Sequence, residues 1–270
     1  MPSMVAADKQ PLTWGYGADS RPVVSTLDNG LQAAVAGASG SGKSNTLKRF
    51  LLEACSKLGP ALQLVILDAK RVEFMGWTPR AYVFTDQSDF VPVIDGLAGE
   101  YERRKLAMAS NRWCISIDTP FILFVVDEIS AVINAPEYTS AQRKALEMKL
   151  RGLSERMRAT GMGAIWAGQT LSADVLPTTI RNNCTTRIVH QTMSEEALTM
   201  ASGGRNEECR ADLLPMPGMF FALTNTTRQR FVRGRSKLLT PDEESRLLAA
   251  LAKDKRPLHC MDFGAADYYG

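Results

Sequence analysis

The sequence predicts an α/β protein with a mostly parallel central sheet flanked by helices. Three observations lead there. Short apolar runs alternate with amphipathic stretches between about residues 33 and 189. A glycine-rich octet separates one of these runs from a helical segment, and another run, wholly apolar, ends in two adjacent carboxylates.

The apolar runs give candidate strands at 32–36, 62–67, 81–84, 121–126, 163–167 and 186–190. The segments between them are long enough for crossover helices, which parallel pairing requires. Leu146, Leu150, Leu153 and Met157 recur at steps of three and four, so a helix passes through them with Arg143, Lys144, Lys149, Arg151 and Arg158 on other faces. Thr240-Pro-Asp-Glu243 places a threonine cap, a first-turn proline and a third-position glutamate in order, and predicts a helix running to about Ala252. Arg228, Arg230, Arg233, Arg235 and Lys237 partly alternate around Phe231 and Val232, as on the exposed face of a late strand.

A chain of 270 residues, 45% hydrophobic, can bury one large core. One domain is expected over residues 1–255, with 1–30 as a lead-in segment and a loosely held tail at 256–270. Charge is close to balanced, 32 basic against 29 acidic side chains, so any nucleic-acid contact must come from local clusters. The five cysteines are scattered without metal-ligand spacing, as in a reduced, cytoplasmic protein. The N-terminal residues lack the charged and apolar blocks of a secretory signal, and no apolar run approaches the ~20 residues of a membrane-spanning helix.

The octet is Gly37-Ala-Ser-Gly-Ser-Gly-Lys-Ser44, and its position between a strand and a helix is the context of a phosphate-cradling loop. Its glycines let the backbone turn around phosphates, while amide hydrogens and the helix N-terminus supply positive potential. Gly37, Ala38, Ser39, Gly40, Ser41, Gly42, Lys43, Ser44 and Asn45 are therefore the candidate nucleotide contacts. Lys43 is expected to bridge the β- and γ-phosphates and Ser44 to ligate Mg²⁺, which makes ATP and Mg²⁺ the expected substrate and cofactor.

The apolar run at 121–126 leads into Asp127 and Glu128, at the carboxyl edge of a strand, where ligands bind in open α/β sheets. Asp127 is expected to hold the Mg²⁺ shell and Glu128 to polarise the attacking water. A glutamate in that place argues for a hydrolysing, mechanical ATPase over a nucleotide switch, and no Asn-Lys-x-Asp guanine signature occurs. Gln169, after the 163–167 run, is a candidate γ-phosphate sensor.

With these motifs in order, the chain resembles the motor domain of FtsK/SpoIIIE-like translocases, within the FtsK/HerA superfamily. The resemblance runs from about Pro22 to Glu244. Residues 65–74, Val-Ile-Leu-Asp-Ala-Lys-Arg-Val-Glu-Phe, are similar to that family's I-D-P-K segment. Glu100-Tyr-Glu-Arg-Arg104 is similar to its E-x-E-R-R helix, and Arg158-Ala-Thr-Gly161 to the arginine before the sensor strand. Residues 176–188, with Arg181, Thr186 and Arg187, resemble the stretch ending in P-T-R-I. Residues 213–219 resemble its L-L-G-x-G-D-M turn, except that Pro215 and Pro217 replace glycines and Gly218 replaces the aspartate.

The resemblance implies a RecA-like P-loop core of the ASCE type. It also implies assembly into a homo-oligomeric, hexameric ring around double-stranded DNA, with ATP bound between subunits. An arginine donated across the interface is implied as well, and Arg103, Arg104, Arg158 and Arg187 all remain candidates. Two channel-facing loops correspond to residues 134–144 and 170–183, with Arg143, Lys144 and Arg181 as cations for phosphate contact. Nothing after Leu239 is long enough for a winged-helix module, and no membrane span is seen. The chain is therefore expected to be a short conjugative-element or viral member served by a membrane-anchored partner. A different class remains open: a secretion-coupling or assembly ATPase acting on protein.

Overall fold

The computed structural model describes residues 7–28, 30–108, 113–173, 175–204, 206–227 and 230–261. Its strands are β1 (Leu12–Tyr16), β2 (Pro22–Ser25), β3 (Gln32–Ala36), β4 (Leu62–Asp68), β5 (Tyr82–Phe84), β6 (Phe121–Asp127), β7 (Met162–Gly168), β8 (Thr186–His190), β9 (Met219–Leu223) and β10 (Val232–Arg235). They form one sheet in the order β2-β1-β10-β9-β8-β3-β7-β6-β4-β5. The six strands from β8 to β5 are parallel, and the other four extend the sheet antiparallel beyond β8.

The helices are α1 (Lys43–Leu58), α2 (Gln87–Ala107), α3 (Ile129–Ile133), α4 (Ser140–Arg156), α5 (Thr178–Asn183), α6 (Glu195–Ser202) and α7 (Pro241–Leu251). They cover both faces of the sheet, which is why β3, β4, β6, β7 and β8 are buried along their whole length and why β6 is apolar from Phe121 to Val126. Two hydrophobic layers result. Phe50, Leu51 and Leu47 of α1 pack on one face, and Leu146, Leu150 and Leu153 of α4 on the other, with Phe90, Val93, Ile94 and Leu97 of α2. Each such fully buried side chain stabilises the fold by about 1.5–3 kcal/mol.

The caps act as their residue types require. Thr139 opens α4 with a capping box to Gln142, and Thr240 accepts from the Glu243 amide at the start of α7. In β10, Arg233 and Arg235 are exposed on either side of the buried Gly234, while Arg228 lies outside the described residues.

The two ends of the chain pack on this body. Within the lead-in, β1 and β2 form the outer strands of the sheet. Trp14 stacks on Phe50 with ring centroids 3.7 Å apart and donates to Ser25 Oγ at 2.9 Å. The tail is held as far as Met261. Leu258 and Met261 are buried against α2, the Arg256 amide donates to Gln63 Oε1 at 3.0 Å, and Tyr82 Oη donates to the Arg256 carbonyl at 2.9 Å. Two apolar side chains and backbone hydrogen bonds suffice to fix it, a pattern too sparse to show as periodicity.

Candidate functional site

Strand β3 lies between β8 and β7, with β6 next to β7, so the loops leaving β3, β6 and β7 open side by side at the carboxyl edge of the sheet. There residues 37–42 turn from β3 into α1. Gly42 has φ 90°, and a Cβ on it would lie 2.3 Å from the Gly218 amide nitrogen, so no side chain fits. A Cβ on Gly37 would lie 2.5 Å from the His190 Cβ. The turn at 215–218 thus braces the loop from behind, its Gly218 amide donating to the Ser41 carbonyl at 2.8 Å. The proline and glycine replacements leave this backbone contact intact.

One cleft of about 390 Å³ is lined by Ala38, Ser39, Gly40, Gly42, Lys43, Ser44, Asn45, Asp127, Glu128 and Gln169, together with Lys70, Val72 and Glu73. Lys43 Nζ lies 3.6 Å from Asp127 Oδ1. That oxygen is buried and has no hydrogen-bond donor. Burial raises the Asp127 carboxyl above its ordinary range, the charge of Lys43 opposes this, and the carboxylates of Asp68, Glu73 and Glu128 add to it. A buried anion short of donors, beside the Ser44 hydroxyl position and a loop of turning glycines, suits a Mg²⁺–triphosphate, so the residues present fit the expected ligand.

Glu128 is 4% exposed and sits in the left-handed region at φ 54°, a conformation that costs a non-glycine residue about 1 kcal/mol or more. Its Oε2 accepts from Lys70 Nζ at 2.9 Å, and its Oε1 accepts from Ser130 Oγ at 2.9 Å and from the Gln169 amide at 3.2 Å. Burial would raise its carboxyl, but the Lys70 hydrogen bond, the charge of Lys43 and the Ser130 and Gln169 donors hold it below the usual range.

Asn45 lines the cleft, but its amide is committed elsewhere. It donates to Ser236 Oγ at 3.0 Å and to the Lys237 carbonyl at 2.8 Å, and accepts from the Leu239 amide at 2.7 Å. Its side chain therefore ties α1 to the segment after β10, at the border of the cleft. Arg181 also has internal partners. Its guanidinium turns back to the Leu171 carbonyl at 2.9 Å and Met200 Sδ at 3.1 Å, where it closes its own loop. Arg143 is half-buried with Nε lacking a partner, and Lys144 is exposed.

The arginines do not reach the cleft. Arg104 is 1% exposed and donates to Glu100, to the Thr160 and Gly161 carbonyls and to the Pro120 carbonyl, at the edge where β6 and β7 begin. Arg103 pairs with Glu100 at 2.7 Å and stays half-exposed. Arg158 is exposed at the same edge, its Cα 2.7 Å from where a Cβ on Gly30 would stand. A strand of five to seven residues puts that edge roughly 20 Å from the cleft. Arg187 is buried and spends its guanidinium on the Ala201 and Arg181 carbonyls. Arg104 and Arg187 are thereby internal braces.

From sequence, Lys70 has only its place in the I-D-P-K-like segment, without a role, and His190 has no place in the site. Lys70 stands in a turn with no periodicity and meets Glu128 only because β4 and β6 are neighbours. His190 is fully buried behind the loop, both ring nitrogens without a hydrogen-bond partner, and burial pushes its pKa down to about 3.

Residues 2–118 match the model of the FtsK/SpoIIIE family, a span that takes in the glycine-rich loop and Lys70 but stops before Asp127. The Helicobacter pylori protein named DNA translocase FtsK is 24% identical over 276 residues, covering 94% of this chain and 30% of its own length. The chain thus spans about a third of the length of that relative. Among solved structures, the cytoplasmic domain of the type VII secretion ATPase EccC from Thermomonospora curvata superposes with a TM-score of 0.72 at 18% identity, over 93% of this chain and 32% of that one. The pCW3 conjugation coupling protein TcpA, solved with ATPγS, gives 0.71 at 20% identity, over 90% and 72%. Both share the fold. No helix among the described residues is long and apolar enough to cross a membrane. The chain thus has the fold of P-loop ATPases, presents a glycine-rich loop to paired carboxylates, and is similar over residues 2–118 to the FtsK/SpoIIIE family.

Proposed function

We propose that the chain is a subunit of a homo-oligomeric, hexameric ring that hydrolyses ATP and uses it to move double-stranded DNA. The observation that carries this is the separation of charges across the sheet. The described residues lining the cleft include two lysines and no arginine, whereas Arg158 and Arg103 lie exposed at the opposite edge. Neither can serve its own cleft, but either can serve the cleft of a subunit packed edge to edge, which supplies the positive charge that phosphoryl transfer requires.

Within one cleft, the loop amides and Lys43 hold the phosphates, and Ser44 and Asp127 would hold Mg²⁺, which offsets phosphate charge. Glu128 accepts a proton as the oxygen of water bonds to the terminal phosphorus and the bond to the leaving ADP oxygen breaks. Gln169 projects from the end of β7 beside Glu128, placed to register the terminal phosphate. Arg143 and Lys144, at the start of α4, are candidate cations for sequence-independent contact with DNA phosphates.

The test is ATP turnover with and without linear duplex, over a range of salt. Stimulation by duplex that fades as salt rises is expected, together with rings threaded by DNA when imaged with a non-hydrolysable ATP analogue. Turnover indifferent to duplex but raised by a protein partner would replace this reading with that of a secretion-coupling ATPase.

A further inference from the structure

We infer that Lys70 is a latch on Glu128 that the terminal phosphate of ATP draws away, so that the water-activating oxygen is uncovered only when a triphosphate is in place. This rests on the nucleotide-site reading above and adds a residue to it.

Two ammonium groups face two carboxylates in the cleft, Lys43 on Asp127 at 3.6 Å and Lys70 on Glu128 at 2.9 Å. Bound nucleotide must break the first pair, because the phosphates need Lys43. The second pair has the same character. Glu128 is fixed, its side chain 6% exposed and its Oε1 held by Ser130 and the Gln169 amide. Lys70 is the movable partner, its side chain 45% exposed and lining the cleft. It is carried on the turn after β4, where the next residue, Arg71, has φ 56° and pairs with Asp86.

With Oε1 doubly engaged, Oε2 is the oxygen left to accept from water, and Lys70 covers it. A terminal phosphoryl group carries more negative charge than a carboxylate and more acceptor oxygens, so an ammonium placed between them re-pairs with the phosphate. ADP offers no such group, and Lys70 stays on Glu128. The latch therefore distinguishes the triphosphate from the diphosphate before any bond breaks.

The experiment is calorimetric titration of the full chain, with Mg²⁺, against a non-hydrolysable ATP analogue and against ADP. Wild type, Lys70→Met and Lys70→Arg are compared, and cooperative melting is checked for each. Losing one charge-assisted contact, Lys70→Met is expected to weaken analogue binding by about tenfold while ADP affinity stays within about twofold; Lys70→Arg keeps the preference for analogue within about threefold. Equal weakening toward both nucleotides, no weakening toward either, or a preference lost as fully in Lys70→Arg as in Lys70→Met would overturn the latch. If wild type binds neither nucleotide, the nucleotide-site reading itself falls.

Discussion

Arg104, where β6 and β7 begin, donates four hydrogen bonds and lies 4.6 Å from the centre of the Trp113 ring, whereas Asp127, where β6 ends, keeps a buried oxygen with no donor. Both are charged and both are nearly inaccessible to water. Arg104 itself is fully engaged: it donates to the carbonyls just before β6 and β7 and to Glu100, which balances its charge. At the Asp127 end, Ser41 Oγ and both His190 ring nitrogens also lack partners, and Glu128 holds a left-handed backbone. Unmet polar capacity in a folded core is costly, so it persists where something arrives to meet it. The Arg104 cluster is completed by folding, whereas the Asp127 carboxylate keeps acceptor capacity beside the open cleft.

The largest expected effect that would break this contrast concerns the cleft. Glu128→Gln is expected to lower ATP turnover by about 10²–10⁴-fold while nucleotide affinity is retained, as read by steady-state kinetics beside calorimetry. Turnover near wild type would remove Glu128 from the chemistry. At Arg104, the change Arg104→Met leaves Glu100 with Arg103 alone and removes the guanidinium donors from the Thr160 and Pro120 carbonyls, and should cost about 1–3 kcal/mol in denaturant unfolding. A loss below about 1 kcal/mol would mean that water replaces the guanidinium and that this cluster is less complete than its bonds suggest.

A smaller effect separates burial from ligand binding. The folded-state pKa of His190 is pushed down to about 3 from 6.5, so the unfolded chain takes up a proton first as pH falls. Stability is then full above pH 6.5 and declines below it, by about 2 kcal/mol between pH 7.5 and 5 from this group alone. His190→Phe should flatten that part of the profile. The smallest effect is at the DNA side, where Lys144→Gln should reduce the salt slope of duplex binding by about one and weaken all sequences alike.

Legibility followed how locally each feature is specified. The loop at 37–44 can be read because its glycines, lysine and serine are consecutive and a strand and helix flank them. Asp127 and Glu128 can be read because an unbroken apolar strand delivers them. Lys70 stands in the I-D-P-K-like segment, but its pairing with Glu128 across two neighbouring strands shows only in the strand order. The strands of the antiparallel extension are four or five residues long, and β9 alternates between buried and half-buried positions, too weak a signal beside the parallel runs. Arginines mislead most. Arg103 and Arg104 are adjacent in sequence, yet one is half-exposed and the other locked inside, a difference of helical face that a motif does not record.

The close approach of Gly218 to Gly42 has a mechanical side. Main chain meets main chain there, and the Ser41 carbonyl is bonded to the same residue. A side chain between them would absorb a push by changing rotamer; two backbones cannot. Gly218 leads directly into β9, and β9, β10, β1 and β2 form a continuous ribbon. A load applied to that ribbon therefore arrives at the glycine-rich turn before α1 with almost no slack, as in two rods butted end to end.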